Sequence, residues 1–424
     1  MSLFRKIAGV ATSGSGLAIA DQGLVSATNF VVGVLLARML GVEGFGWYAM
    51  AWLLVQMAGS LQQAFIVSPL LSLLPQLPTQ EHGQYVRSLN LLQLGLILTV
   101  AAVLAGASLL PVVQSVCSGL TQSWDALLVW LCTFLLHDAL RKNQYATGAV
   151  GRAARIDSLV MVLQLGGLAL CYMLGAASVD VVLWLLAASY APAAFLQLMS
   201  IRSVALRVLW KNTAATWQYA RYLVGTAVLQ WLSGNAFIVA AGALLGPMAL
   251  GAVRMAQNLV GILNVLFLAI EHKAPAPMAS HYARAGVPSL MAFTRNLTFK
   301  AGLLTVAALG VLALLRNVII EQLYGALYLP YSGLVLAFLG MYALVFAGTV
   351  LRLLVRTVAR NRAIFMAYVA TAVSGLLLAT PLVKHFGLSG VATGLLLTQA
   401  ITLAILIHSL KKELPLLWKS STSS

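Results

Sequence analysis

The sequence predicts an all-α, polytopic membrane protein of about twelve transmembrane helices arranged as two six-helix bundles. Three observations carry this. Hydrophobic residues make up 61% of the 424 and charged residues only 8%, with a mean hydropathy of +0.93. Soluble domains run near 25% charged, so one aqueous core cannot absorb this chain. Apolar runs of spanning length follow one another from end to end; at about 20 residues per span, twelve leave no room for a large soluble domain. Basic residues, finally, fall almost entirely in alternate intervals between those runs. The composition excludes a cytosolic enzyme, a disordered scaffold and a secreted disulfide module.

The twelve segments run over roughly 13–36, 45–70, 88–110, 124–140, 157–175, 179–200, 218–244, 248–270, 300–320, 331–351, 363–383 and 387–409. Placing the amino terminus inside puts 22 of the 26 Lys and Arg residues on the inner side. They include Arg5 and Lys6, the group Arg141, Lys142, Arg152 and Arg155, and the group Arg352, Arg356, Arg360 and Arg362. Only Arg38, Arg316 and Lys384 fall outside, and Arg254 lies within a segment. Such asymmetry predicts both termini in the cytoplasm. The net charge of +16 then reads as a topology signal with contact to anionic membrane lipids, not as a nucleic-acid surface. Arg5-Lys6 precede an apolar stretch without an A-x-A site, which predicts an uncleaved first helix. Cys117, Cys132 and Cys171 lack metal or redox spacing and read as small hydrophobes.

The junction after segment one, Leu40-Gly41-Val-Glu-Gly-Phe-Gly46-Trp-Tyr-Ala-Met50-Ala51, resembles the one after segment seven, Leu245-Gly246-Pro-Met-Ala-Leu-Gly251-Ala-Val-Arg-Met255-Ala256. Leu, Gly, Gly, Met and Ala coincide at a displacement of 205 residues, and Pro69 and Pro275 follow it within one residue. Segments one and seven both start inside, so the halves are expected to be parallel repeats, 1–210 and 211–424.

The stretch Asp21-Gln22-Gly23-Leu24-Val25-Ser26, Asn29-Phe30, Leu36-Ala37-Arg38-Met39-Leu40-Gly41 and Gly44-Phe45-Gly46 resembles the opening of bacterial polysaccharide (O-antigen type) flippases. These belong to the wider MOP superfamily that includes MATE drug exporters and the lipid II flippase. The resemblance covers the whole chain in length and 6+6 organisation, while its specific motif is confined to the first 70 or so residues. It implies a MATE-like fold and alternating access of two bundles. The expected cargo is an undecaprenyl-diphosphate-linked oligosaccharide, moved from the cytoplasmic to the periplasmic leaflet of the inner membrane. It also implies work alongside the polymerase and glycosyltransferases of a polysaccharide pathway, with no cofactor and no enzymatic step.

Ionisable groups inside a bilayer are costly, by about 2.5–3.5 kcal/mol or more, and mark candidate sites. In segment one, Gln22, Ser26 and Asn29 share a helical face flanked by Asp21; they form either a structural polar seam or a cavity lining. In segment eight, Gln257, Gly261, Asn264 and Glu271 fall on one stripe and Arg254 with Asn258 on its neighbour. Arg254 must pair with an acid or face water, and a guanidinium suits a diphosphate. Glu271 reads equally as a solvated helix end. His137-Asp138 is expected to be an interfacial anchor and Arg38 a snorkelling residue. No metal, nucleotide or hydrolase motif is present. A MATE-like small-molecule exporter is the alternative. A membrane-embedded polymerase or acyltransferase fits less well, because the outer loops are short and no histidine lies deep in a segment.

Overall fold

The computed structural model describes residues 14–421, with side chains described from 21 to 411. Arg5, Lys6 and the start of the first segment lie outside the described residues, as do the side chains of Lys412 and Lys419. Among the described residues every regular element is a helix, and nine helical stretches are long and apolar enough to cross a membrane. Three of the nine are broken internally. Gly14–Gln62 breaks at Gly41 into α1 (14–40) and α2 (42–62). The stretch Pro247–Leu323 breaks at Gly286, separating α8 (Pro247–Val260, continued by Asn264–Lys273 and by 275–284) from α9 (287–323). Asn361–Ser421 breaks at Gly387 into α11 (361–386) and α12 (388–421). The unbroken helices are α3 (Thr79–Ala107), α4 (Trp124–Ala146), α5 (Val150–Met173), α6 (Val179–Ser200), α7 (Leu206–Leu245) and α10 (Ser332–Thr357). The described residues thus form twelve long helical pieces.

Local chemistry explains the irregularities. Pro69 has no N–H to donate, and the helix ahead of it widens into a π-turn at Gln63–Val67. Ser178 caps α6 by accepting a hydrogen bond from the Val181 N–H at 3.2 Å. Within segment eight the helix tightens to a 3₁₀ turn at Gly261–Leu263. This advances the phase of every residue beyond it, because a 3₁₀ turn holds 3.0 residues instead of 3.6. The single stripe expected from Gln257 to Glu271 is therefore interrupted. Arg254, Gln257 and Asn258 precede the turn; Asn264 and Glu271 follow it.

The chain separates into two compact units, Met1–Val228 and Leu229–Ser424, with the division inside α7. In the first unit α4 packs extensively on α6, and the broken helix 14–62 on α5. In the second, α10 packs on the stretch Pro275–Leu323 and on the broken helix Asn361–Ser421. The early part of α7 docks in unit 1, where Asn212 Nδ2 donates to Ser88 Oγ at 2.9 Å and Tyr219 Oη donates to Ser72 Oγ at 2.8 Å. The later part docks in unit 2, where the Ser233 and Thr371 hydroxyls meet at 2.5 Å.

Backbone geometry repeats between the units. Gly41 takes φ 66°, ψ −174° and Gly246 takes φ 83°, ψ −175°, a region open only to glycine. They are the pair matched by the 205-residue displacement. The α4–α5 turn is closed by Thr147 N–H to Asn143 O, Gly148 N–H to Tyr145 O, Ala149 N–H to Gln144 O and Arg152 N–H to Ala149 O. The α10–α11 turn is closed by Val358 to Leu354, Ala359 to Arg356, Arg360 to Val355 and Ala363 to Arg360. Each of these donors and acceptors in the second turn lies 211 residues after its counterpart. Gly148 and Ala359 hold matching positive φ, 76° and 59°.

Candidate functional site

Among the described residues, the densest polar constellation lies inside unit 1. α4 carries His137, Arg141 and Tyr145 four residues apart, hence on one face. Arg141 Nη2 donates to Asp21 Oδ2 of α1 at 3.0 Å, and its Nε lies 2.6 Å from Asp157 Oδ2 of α5. His137 Nε2 lies 2.8 Å from Asp157 Oδ1. Tyr145 Oη donates a short hydrogen bond to Asp21, and the Arg141 guanidinium rests over the Tyr145 ring, 5.4 Å from its centroid. Asp21, His137, Arg141 and Asp157 are all buried. Next to them Gln62 Nε2 bridges Asp138 Oδ2 at 3.1 Å and Leu135 O at 3.2 Å.

An aromatic ladder dries one flank of this network. Phe45, Tyr48, Trp130, Trp52, Phe134, Tyr190 and His137 follow one another with ring centroids 5.0–5.8 Å apart. Offset and edge packing of this kind adds to burial. With water excluded, the carboxylates and the guanidinium depend on one another, and the network acts as a clamp across α1, α4 and α5.

The sequence-predicted residues divide accordingly. Asp21 is turned into the clamp, whereas Gln22 and Asn29 are exposed and Ser26 half-buried. Gln22 touches the network only through its Oε1, which accepts from Arg141 Nη2 at 3.3 Å. His137 is buried, not the interfacial anchor expected, because α4 extends past it for two further turns and carries Arg141 and Tyr145 inward with it. Arg141, Tyr145 and Asp157 were not singled out from the sequence. The available signal was the polar i, i+4, i+8 stripe His137–Arg141–Tyr145.

In unit 2, Arg254, Gln257, Asn258 and Glu271 are half-buried and Asn264 is exposed. Asn258 Nδ2 donates to Tyr324 Oη at 3.0 Å. Burial pushes the Tyr324 phenol above its ordinary range, while the Asn258 hydrogen bond and the positive charge of Arg254 act in the opposite direction. Arg254 thus sits within electrostatic reach of the α9–α10 connection. Glu271 Oε1 lies 4.0 Å from Arg352 Nη2.

At the other end of α4 from the clamp, a polar pocket of about 570 Å³ opens in unit 1 between Ser118–Ser123 and Ser178–Asp180. Gly119 beneath it lies flat against the Trp47 indole, leaving no space for a Cβ. Cys117, beside this pocket, is buried, and burial pushes its thiol up. Its Sγ lies 3.5 Å from Met50 Sδ.

No protein-family model matches the sequence, and no curated protein matches it. Solved structures do. An inward-facing multidrug resistance MATE transporter of the MOP superfamily matches with a TM-score of 0.75 at 12% identity, over 94% of this chain and 96% of that one. The lipid II flippase MurJ in an inward closed conformation matches with a TM-score of 0.64 at 14% identity, over 92% of this chain and 87% of that one. A MOP superfamily transporter from Pyrococcus furiosus, described as having a binding pocket of reversed polarity, matches with a TM-score of 0.59 at 12% identity over 93% and 94%. The chain has the MATE-like fold of these proteins over nearly its whole length.

Proposed function

We propose that this protein is a transporter that flips an undecaprenyl-diphosphate-type lipid-linked oligosaccharide across the bacterial inner membrane by alternating access. Both termini then lie in the cytoplasm, and a polymerase and glycosyltransferases act on either side of it. The observation that carries the reading is the charge balance of unit 2. Between residues 229 and 411 nine of the twelve Lys and Arg residues belong to the inner-side set that fixes topology; within helices Arg254, Arg316 and Arg352 stand against the only two acids of this stretch, Glu271 and Glu321. A bundle with this balance repels a cationic drug and attracts a diphosphate, which gains charge-assisted hydrogen bonds from guanidinium groups. The opening-stretch resemblance and the fold shared with a lipid II flippase point the same way.

The test is deletion of the gene in its native host. Loss of surface glycan with accumulation of the lipid-linked precursor supports the proposal. The fold shared with multidrug resistance transporters also accommodates a second reading, a small-molecule exporter. Unchanged glycan with altered drug tolerance would establish that one.

A further inference from the structure

The duplicated turns allow the two units to be compared residue by residue. The 211-residue displacement that matches the α4–α5 turn to the α10–α11 turn brings Leu140-Arg141 onto Leu351-Arg352. The arginine is repeated; its partners are not. His137 corresponds to Gly348, Asp138 to Thr349, Tyr145 to Arg356 and Asp157 to Tyr368. By the 205-residue displacement, Asp21 corresponds to Thr226 of α7, just before the division between the units. Every carboxylate of the clamp is gone, and one further cation has been added.

The environment of Arg352 follows from these replacements. With no side chain at Gly348, the guanidinium folds back along its own helix, its Nη1 only 3.3 Å from where a Cβ at 348 would stand. Its Nη2 donates to Thr349 Oγ1 at 2.9 Å. Among the described residues its one ion pair is with Glu271, at 4.0 Å. Arg141 makes two ion pairs, at 3.0 and 2.6 Å, to carboxylates that are 0% and 1% exposed. Arg352 is 19% exposed, and Glu271 is 38% exposed.

We propose that Gly348, Thr349 and Arg352 form a phosphate-binding subsite in unit 2, with Glu271 as an exchangeable counter-ion. Thr349 orients the guanidinium fork and Gly348 gives it room. An arriving phosphate on the lipid carrier displaces the distant, solvated Glu271, because it brings more negative charge and accepts two parallel N–H donors. This rests on the flippase reading and adds to it a residue set and a displaced acid. The repeat that lost its carboxylates kept its cation free to exchange partners.

The experiment measures binding of geranylgeranyl diphosphate to the purified full chain in nanodiscs, for wild type and for Arg352→Gln, Arg352→Lys, Gly348→Ala and Glu271→Gln. Loss of a charge-assisted hydrogen bond is expected to weaken Arg352→Gln by about tenfold or more. Arg352→Lys and Gly348→Ala should fall between. Glu271→Gln should bind more tightly than wild type, a gain that misfolding cannot imitate. Unchanged affinity in Arg352→Gln, or weaker binding in Glu271→Gln, overturns the subsite and leaves the flippase reading standing. Absence of diphosphate binding by wild type overturns both. Equal competition by phosphatidylglycerol overturns the subsite as a carrier-phosphate site and makes it a lipid-headgroup contact.

Discussion

Replacing Arg141 by alanine removes the centre of the unit 1 clamp. Asp21 and Asp157, whose side chains are 0% and 1% exposed, lose the guanidinium that holds them at 3.0 and 2.6 Å. Removing one partner of a buried pair costs about 3–5 kcal/mol, chiefly because the remaining charge is stranded. Proteins are stable by only about 5–15 kcal/mol, so Arg141→Ala should take away roughly a fifth or more of the total. The assay is the amount of monodisperse protein extracted from membranes, together with its thermal midpoint. Both should fall clearly. Adding Asp157→Asn to Arg141→Ala removes one of the stranded charges and should recover part of the loss, a non-additivity expected of groups sharing one network. A variant that extracts and melts like wild type, or a double variant in which the two losses simply sum, would refute the clamp.

Three further outcomes are expected. Arg254→Ala should greatly reduce glycan export while the protein still inserts, with Arg254→Lys retaining part of it; membrane protein level measured alongside separates lost transport from lost folding. With native cysteines replaced, single cysteines at the exposed Asn29 and Asn264 should react with small water-soluble thiol reagents. Cysteines at Leu98 and Leu376, 60% and 62% exposed on apolar helix faces, should stay inert in membranes, and equal inertness at all four sites would make the polar residues helix glue. Gly246→Ala should lower the thermal midpoint, since positive φ with extended ψ costs a non-glycine residue about 1–3 kcal/mol; an unchanged midpoint would show that the α7–α8 junction relaxes.

The fold class was legible because membrane helices advertise themselves by apolar length, and the repeat because Leu40-Gly41 and Leu245-Gly246 mark a turn that demands glycine. The clamp was legible only in part. Asp21 announced itself as an acid in an apolar run. Arg141 and Asp157 did not, because they sit among other charges at helix ends that sequence reasoning assigns to inner loops. Only the extension of α4 to Ala146 and the start of α5 at Val150 reveal that these residues lie on helices and face inward. The interruption of segment eight was hidden for a different reason: Gly261 is compatible with a continuous helix, and a 3₁₀ turn leaves no compositional trace.

The second unit holds the duplicated turn at a cost. Ala359 takes a left-handed conformation where unit 1 uses Gly148, a penalty of about 1–2 kcal/mol for a residue with a Cβ. Backbone geometry that persists against such a penalty is being held by the packing and hydrogen bonds around it, here the three that close on Leu354, Val355 and Arg356. The turn sets where α10 ends and therefore where Arg352 stands. The surrounding charges are under no such constraint: where unit 1 has His137, Asp138 and Asp157, unit 2 has Gly348, Thr349 and Tyr368, while the turn keeps its shape. Fixed backbone with exchanged electrostatics is how one repeat can serve as a rigid clamp and the other present an exchangeable cation from an equivalent helical position. The division of labour follows from the carboxylates and not from the helices, because the helices are the part that did not change.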